Sequence, residues 1–181
     1  IWYENARLIA SGYKGSGDVF GINAFRDFLA YPILSGITVD ALREGLGPKI
    51  PIWIYFDGNG YAKPSNMTPE EYIEIVKCQI YTSIIHGATG ILFWNDWSKT
   101  PEVFDALLPM LKELNDNLSI VKQKTIDKKT NSNLHVIIKE GEKGKKHVIA
   151  TNTSKTDKIQ IAIPDVDKKE LNPLEVYISE I

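Results

Sequence analysis

Cysteine is almost absent from this sequence, which contains a single one, Cys78, among 181 residues. A lone cysteine excludes an internal disulfide, and because Cys78 lies within a helical pattern we interpret it as a buried thiol rather than a nucleophile. Long apolar runs are absent as well. No segment reaches the roughly 20 residues that a membrane-spanning helix needs, so no membrane partner is expected.

Neither sign of charge dominates, since 21 basic residues face 23 acidic ones and the formal net charge is -2. The lysines after residue 120 alternate with acids and polar residues, which is typical of a solvated face, and we expect no nucleic-acid partner. The three histidines, His86, His135 and His147, are too far apart for a zinc-ligand pattern, and there is no phosphate-binding loop or nucleophile elbow. We therefore expect no metal and no cofactor.

Three short apolar runs alternate with helical patterns over the first two thirds of the chain. They cover residues 18–23, 50–57 and 90–95. Their hydrophobicity is continuous rather than alternating, which predicts strands buried on both faces, as in a parallel sheet. A β-α-β-α-β-α order forms either an open α/β sheet or a barrel, and three strands do not close a barrel.

Start and stop signals predict the helices. Residues 68–71 form a capping box with proline at the first helical position, and the helix that they open ends near Gly87. A second helix is predicted from Thr100 through Leu114, with a kink or short break at Pro109. Shorter helices are predicted over 1–11 and 39–46.

The pattern changes after about residue 120, where short strands follow one another without an intervening amphipathic helix. The predicted strands are 120–126, 134–139, 147–151, 158–163 and 174–178. Alternation over 158–163 indicates one wet face and one buried face. We expect residues 119–181 to form a small antiparallel β-sandwich domain that follows an α/β domain over 1–118.

Chemistry is expected where the three parallel strands end, because ligands in such folds bind at the carboxyl edge of the sheet. The polar and aromatic residues at the strand ends and in the loops that follow are Asn23, Arg26, Tyr31, Asp57, Asn59, Tyr61, Trp94, Asn95, Asp96 and Trp97. Aromatic rings stack on the apolar faces of sugars, while carboxylates, amides and arginine bind sugar hydroxyls. This composition predicts a carbohydrate site.

Asp57 is the candidate for catalysis, because a carboxylate at the end of an apolar strand is partly desolvated. Glycosidic cleavage generally uses two carboxyl groups, one as acid and one as nucleophile or base. The alternative is that Asp57 caps the turn over 58–60 through its side chain. Asp96 is interpreted more readily as a turn former, and Arg26 and Asp27 can simply pair with each other.

These segments resemble a known group of proteins, the glycosidase-type TIM barrels. Residues 18–23 followed by Tyr31-Pro32-Ile33 resemble the sixth strand and loop of those barrels, and 51–56 resembles the seventh strand. The passage over 81–94, with its Gly-Ala-x-Gly turn at 87–90, resembles their last helix and strand. A C-terminal β-sandwich is also common in these enzymes.

The resemblance implies the C-terminal part of a (β/α)8 barrel followed by a sandwich domain, acting as a glycoside hydrolase on an oligo- or polysaccharide. Retaining members carry a glutamate nucleophile at the end of the seventh strand, whereas this sequence has Asp57 near that place. The acid/base residue lies on the fourth strand, so the chain alone should be inactive. The expected partners are a carbohydrate and either the missing N-terminal part of the barrel or a second chain.

Two alternatives stay open at this point. One is a barrel that binds carbohydrate without cutting it. The other is an open α/β domain that binds a nucleotide or another small ligand, and the lack of a phosphate-binding loop argues against it. The chain opens on Ile1 rather than methionine, and we expect a processing or proteolysis boundary there. A polysaccharide substrate favours an extracellular or periplasmic location.

Overall fold

A computed structural model describes residues 2–23, 29–94, 96, 98–162 and 168–181. The fold is mixed α/β. The helices in the described ranges are α1 (Trp2–Gly12), α2 (Leu34–Leu46), α3 (Pro69–His86), α4 (Pro101–Asp116) and α5 (Leu118–Val121). The strands are β1 (Phe20–Asn23), β2 (Ile52–Asp57), β3 (Gly90–Trp94), β4 (Lys124–Thr130), β5 (Leu134–Glu140), β6 (Lys146–Asn152), β7 (Ile159–Ile161), β8 (Lys169–Leu171) and β9 (Val176–Glu180).

The first three strands form a parallel sheet in the order β1-β2-β3, as the sequence predicted. Capping explains the helix between β2 and β3: the Thr68 hydroxyl accepts from the backbone N–H of Glu71, whose carboxylate accepts from the N–H of Thr68. Gly87 ends this helix in the left-handed conformation, with φ 104°. Both signals were correctly recognised in the sequence.

One face of the parallel sheet is buried and the other is open. Ile52, Ile54 and Phe56 are fully buried in the main apolar cluster, together with side chains of α2, α3 and α4. On the opposite face Trp53 is 38% exposed and Tyr55 is half-buried. The prediction that the strands are buried on both faces is therefore wrong for the described residues, because the helices cover one face only.

The remaining strands form an antiparallel sheet in the order β4-β5-β6-β9 and a two-stranded ribbon of β7 and β8. The two faces of the four-stranded sheet meet different partners. Val136 and Val148 pack with Ile161 and Leu171 of the ribbon in a second apolar cluster. The other face packs against α3 and places Ile149 in the same cluster as the parallel sheet.

Several predicted boundaries are corrected by this packing. Residues 118–121 form α5 rather than the start of a strand, since Ile120 packs on the main cluster from a helical turn, and β4 begins at Lys124. Helix α2 begins at Leu34 rather than at residue 39, and α4 runs without a break through Pro109. Strand β8 was not predicted, and β9 begins at Val176 because Leu174 has a positive φ of 61° in the preceding turn.

The edge of the parallel sheet away from the strand ends is held by Arg43. Its guanidinium donates hydrogen bonds to the carbonyls of Gly47, Pro48, Ile50 and Gly87 at 2.6–3.3 Å. Burial lowers the pKa of this group. The loops that lead into β2 and out of α3 are thus attached to α2 by one side chain.

None of the helices in the described ranges has the length and apolar content that crossing a bilayer requires.

Replacing Gly45 with alanine is expected to lower the free energy of unfolding by about 1–3 kcal/mol, because overpacking outweighs the gain in helix propensity. A Cβ atom at this position of α2 would lie 2.6 Å from the carbonyl oxygen of Arg7 and 2.7 Å from the Cβ of Ala10, both in α1. Urea unfolding followed by circular dichroism measures the change. The matched control is Gly12→Ala, since a Cβ there meets nothing within 4 Å. Equal costs for the two variants would contradict this description of the α1–α2 contact.

Candidate functional site

The parallel register brings the predicted strand ends together. Asp57 is the direct partner of Trp94, and Asn23 is the partner of Tyr55, two residues before Asp57 on the same strand. Side chains of paired residues, and of residues two apart on one strand, point to the same face of a sheet. Asn23, Asp57 and Trp94 therefore share the open face of the parallel sheet at its carboxyl edge.

Asp57 is 4% exposed, and the loop that follows β2 occupies both of its carboxylate oxygens. Oδ1 accepts a hydrogen bond from the backbone N–H of Asn59 at 2.9 Å, and Oδ2 accepts one from the N–H of Ala62 at 2.8 Å. These are the hydrogen bonds of a side chain that caps a turn, which was the alternative to a catalytic role. A catalytic role for Asp57 stays a prediction.

Two loops are joined beside this carboxylate. The N–H of Gly58 donates to the carbonyl of Trp94 at 2.9 Å, and the side-chain oxygen of Asn59 accepts from the backbone N–H of Asp96. Beneath them the Tyr72 hydroxyl donates to the carbonyl oxygen of Asp57 at 2.9 Å. Burial first, and then the charge of Asp57, raise the pKa of Tyr72. The loops after β2 and β3 thus form one hydrogen-bonded unit.

Aromatic rings are exposed around this edge. Trp94 is 61% exposed at the end of β3, Tyr61 is 81% exposed in the loop after β2, and Tyr31 is 65% exposed on the connection that leaves β1. Asn23 is exposed, while Asn59 is buried because it joins the two loops. Asn59 is therefore placed to order the loops rather than to meet a ligand directly.

Asp96 is exposed and engaged within its own turn. It accepts a hydrogen bond from the Ser98 hydroxyl at 2.6 Å and pairs with the Lys99 ammonium at 3.0 Å. The hydrogen bond from Ser98 and then that from Lys99 lower the pKa of Asp96. Its contacts agree with the turn-forming interpretation. The predicted binding residues Arg26, Asn95 and Trp97 lie outside the described residues.

Aromatic side chains also fill the open face of the sheet toward its other end. A Cβ atom at Gly90 would lie 2.4 Å from the ring of Trp53, and one at Gly21 would lie 3.1 Å from the ring of Tyr55. The two rings thus lie across the glycines of the neighbouring strands. Trp53, Tyr55 and Trp94 all lie on the open face of the sheet.

A cluster that no sequence pattern predicted lies where α2 and α3 meet the antiparallel sheet. His86 Nε2 is 3.0 Å from His135 Nδ1, and His86 Nδ1 is 2.7 Å from the Asp40 carboxylate, which also pairs with the Lys128 ammonium at 3.3 Å. On the far side His135 Nε2 is 3.4 Å from the Thr153 hydroxyl. Spacing along the chain carries no signal for this cluster, because its members come from five different segments.

The chemical character of the histidine cluster is that of a buried hydrogen-bond chain. Burial, followed by the charge of His86, lowers the pKa of His135 to about 3. Burial alone would raise the pKa of Asp40, but its hydrogen bond with His86 and the nearby positive charges outweigh that effect and lower it. The part of the chain that the structure describes contains no group of three or more histidine, cysteine or acidic side chains arranged to hold a metal ion.

Cys78 is fully buried, as the sequence predicted, and burial raises the pKa of its thiol to about 12.

An acidic cavity of about 650 Å³ lies elsewhere, between α3 and α4, and contains none of the predicted site residues. The strand ends therefore remain the place where the predicted chemistry concentrates.

Comparisons with known proteins give likeness of fold but not of sequence. No protein-family model matches the chain, and no curated protein matches it. Its structure is similar to that of the ligand-free cyclic α-maltosyl-(1→6)-maltose hydrolase from Arthrobacter globiformis, with a TM-score of 0.50, 9% identity, and coverage of 97% of this chain and 43% of that one. The maltose complex of the same enzyme aligns with a TM-score of 0.48 and 10% identity over 98% of this chain and 44% of that one. The chain thus spans less than half of the length of the structures that it matches.

Proposed function

We propose that this chain is the C-terminal portion of a (β/α)-barrel glycoside hydrolase that acts on an oligo- or polysaccharide. The observation that carries the proposal is the open, aromatic face of the parallel sheet, on which Asp57 and Trp94 are direct partners at the carboxyl edge. Rings beside carboxylate and amide groups at this edge suit a neutral sugar. The fold likeness to a maltosyl-maltose hydrolase agrees with this class of protein.

Exposed apolar surface on both flanks of the sheet supports the barrel. Among the described residues β1 and β3 each pair only with β2, so each has a free edge. Leu8 and Ile9 are exposed on α1, and Val19 is exposed directly before β1. Beside β3 an apolar groove of about 240 Å³ is lined by side chains that include Ile91 and Leu118. Further β/α units of a longer protein, or of a second chain, would cover both flanks and the open face together.

The antiparallel strands then form the sandwich domain of the proposal, with the boundary near residue 118. The ribbon of β7 and β8 lies on one face of the four-stranded sheet and shares an apolar cluster with it. The proton donor of the reaction would come from the strands that this chain does not contain, and so would the second carboxyl group of a two-carboxylate mechanism if Asp57 takes no part in the chemistry.

Trp94→Ala is expected to weaken sugar binding about tenfold, since one aromatic stacking contact contributes on the order of 1 kcal/mol. The measurement is calorimetric titration of the full-length protein with cellotetraose, maltotetraose, xylotetraose and mannotetraose, followed by an assay of reducing ends. Tyr13→Ala is the control, because this tyrosine is also exposed but lies on the connection into the opposite end of β1.

The outcomes separate the two candidate functions. Binding that depends on Trp94, together with release of reducing ends, supports the hydrolase. Binding without turnover favours a barrel that only recognises carbohydrate. The backbone hydrogen bonds to both carboxylate oxygens of Asp57 agree with that alternative. Absence of both binding and turnover across the panel would rule out the carbohydrate proposal.

A further inference from the structure

The loop after β2 is organised around the side chain of Asp57. The two amides that bind its carboxylate belong to Asn59 and Ala62, which bracket Gly60 and Tyr61. The N–H of Lys63 donates to the carbonyl of Gly60 at 2.9 Å and closes a turn with Tyr61 at its tip. The Asp57 carboxylate thus holds the backbone on both sides of Tyr61, whose ring is exposed to solvent.

The backbone conformation of Gly60 makes this loop depend on the hydrogen bonds that hold it. Its φ is 67°, and a Cβ atom there would lie 3.0 Å from Val103 of α4. The backbone passes close to α4 in a conformation that other residues rarely adopt, so the loop depends on its hydrogen bonds to stay in place. Asp57 supplies two of these bonds from within the sheet.

The same loop is attached to the strand that carries Trp94. The bond from Gly58 to the Trp94 carbonyl and the bond from the Asp96 N–H to Asn59 join the two loops at their bases. The relative placement of Tyr61 and Trp94 thus depends on the loop that Asp57 organises.

Two lysines near the rings are engaged within the part of the chain that the structure describes. Lys63 donates its ammonium to the carbonyl of Met67 at 2.9 Å, and Lys99 pairs with Asp96 at 3.0 Å. The exposed rings themselves suit a ligand with apolar faces, such as a neutral sugar.

From these contacts we infer that Asp57 is a positioning residue, which holds the loop over residues 58–62 so that Tyr61 and Trp94 form a two-ring platform for a neutral sugar. This inference rests on the proposed carbohydrate function for its ligand. It assigns Asp57 a role through Tyr61 instead of contact with the glycosidic bond. A carboxylate that is 4% exposed and bound by two amides has little surface left for a substrate.

The test compares Asp57→Asn, Tyr61→Ala, Tyr61→Phe and the double variant Asp57→Asn/Tyr61→Ala in the full-length protein, with maltotetraose and cellotetraose as probes. Tyr61→Ala is expected to raise the dissociation constant about tenfold, and Tyr61→Phe to leave it within about twofold, because the ring is kept. Asp57→Asn should raise it as much as Tyr61→Ala does. The double variant should be no weaker than either single one, since both changes remove the same ring from the platform.

Catalytic constants distinguish positioning from chemistry. If Asp57 positions the loop, Asp57→Asn raises KM while kcat stays within about threefold. A loss of kcat of about a thousandfold or more with unchanged KM, restored by added formate or azide, would overturn the inference and make Asp57 a catalytic residue. Ala62→Pro provides a second variant with the carboxylate intact, because proline removes one of the two N–H donors. It should reproduce the rise in KM.

Cleavage by chymotrypsin after Tyr61 reports on the loop without any ligand. Asp57→Asn is expected to speed this cleavage at least tenfold relative to wild type, with cleavage after the exposed Tyr13 as the internal reference. If the wild type binds neither tetrasaccharide, the carbohydrate function fails, and the cleavage rates still decide whether Asp57 holds the loop. Unchanged cleavage in Asp57→Asn would overturn the positioning role itself.

Discussion

Ile149→Ala is expected to lower the free energy of unfolding of the whole chain by about 2–5 kcal/mol, the usual cost of truncating a buried isoleucine. Ile149 is fully buried on β6 and belongs to the cluster that also contains the parallel sheet and its helices. Helix α3 contacts β6, and the hydroxyls of Thr82 and Thr151 are 3.0 Å apart across this junction. A cavity at Ile149 therefore weakens both sheets at once.

The four tryptophans make this result easy to measure, because all of them precede residue 98 in the sequence. Tryptophan fluorescence reports only on the α/β portion, whereas the substitution lies in the antiparallel sheet. The fluorescence midpoint in urea is expected to shift together with the midpoint from circular dichroism.

The matched control is Ile161→Ala, which truncates an equally buried isoleucine in the second cluster, between the ribbon and the sheet. It should cost a similar free energy by circular dichroism and move the fluorescence midpoint less. A fluorescence midpoint that does not change in Ile149→Ala would contradict a shared core and favour two independent domains divided near residue 118.

Stability is expected to fall by about 2 kcal/mol between pH 7 and pH 5 because of His135 alone. Burial holds the pKa of this imidazole at about 3, while the unfolded chain has an ordinary value near 6.5. Below pH 6.5 the unfolded state binds a proton that the folded state does not accept. The contribution of the neutral His135 imidazole to the free energy of unfolding is therefore complete above pH 6.5 and is lost as the pH falls toward 3.

The geometry of the cluster explains why the proton is rejected. The 3.0 Å contact between His86 Nε2 and His135 Nδ1 has room for one hydrogen, so both rings cannot be imidazolium ions without breaking it. Asp40 attracts a proton to the cluster and Lys128 repels one. Because the pKa of Asp40 is lowered, this carboxylate loses its contribution only below its ordinary range, well outside the window from pH 5 to 7.

Urea unfolding at pH 5, 6 and 7 with His135→Phe tests this expectation. The variant should be less stable than wild type at pH 7, because His86 and Thr153 lose a partner, and it should show a flatter dependence on pH. Thr82→Val is the control, since it removes a buried hydrogen bond from the same junction without a titratable group. An unchanged pH slope in His135→Phe would remove His135 as the cause.

Local patterns predicted the architecture well where one segment contains its own signal. The capping box at Thr68, the glycine at the end of α3 and the apolar runs of β2 and β3 are each legible within a few residues. The parallel direction of β2 and β3 follows from the β-α-β order. Predictions failed where packing decided, as at Ile120, a β-branched residue that joins the main cluster from a helical turn.

At the candidate site the sequence placed Asp57 and Trp94 at the carboxyl edge of the sheet, where the structure also has them, and it left two roles open for Asp57. The choice between those roles depends on where the amides of Asn59 and Ala62 lie, which no spacing rule states. Tyr61 was noticed only as part of the loop composition. Its place at the tip of a closed turn required the backbone.

The order of the first three strands and of the helices between them, their parallel direction and their polar ends follow from periodicity and capping, because these signals depend on neighbours along the chain. The shared core at Ile149, the contact of His86 with His135 and the open face at Trp53 depend on residues that are far apart in sequence. Such contacts are decided by which surfaces meet once the chain has folded, and only the tertiary structure contains that information.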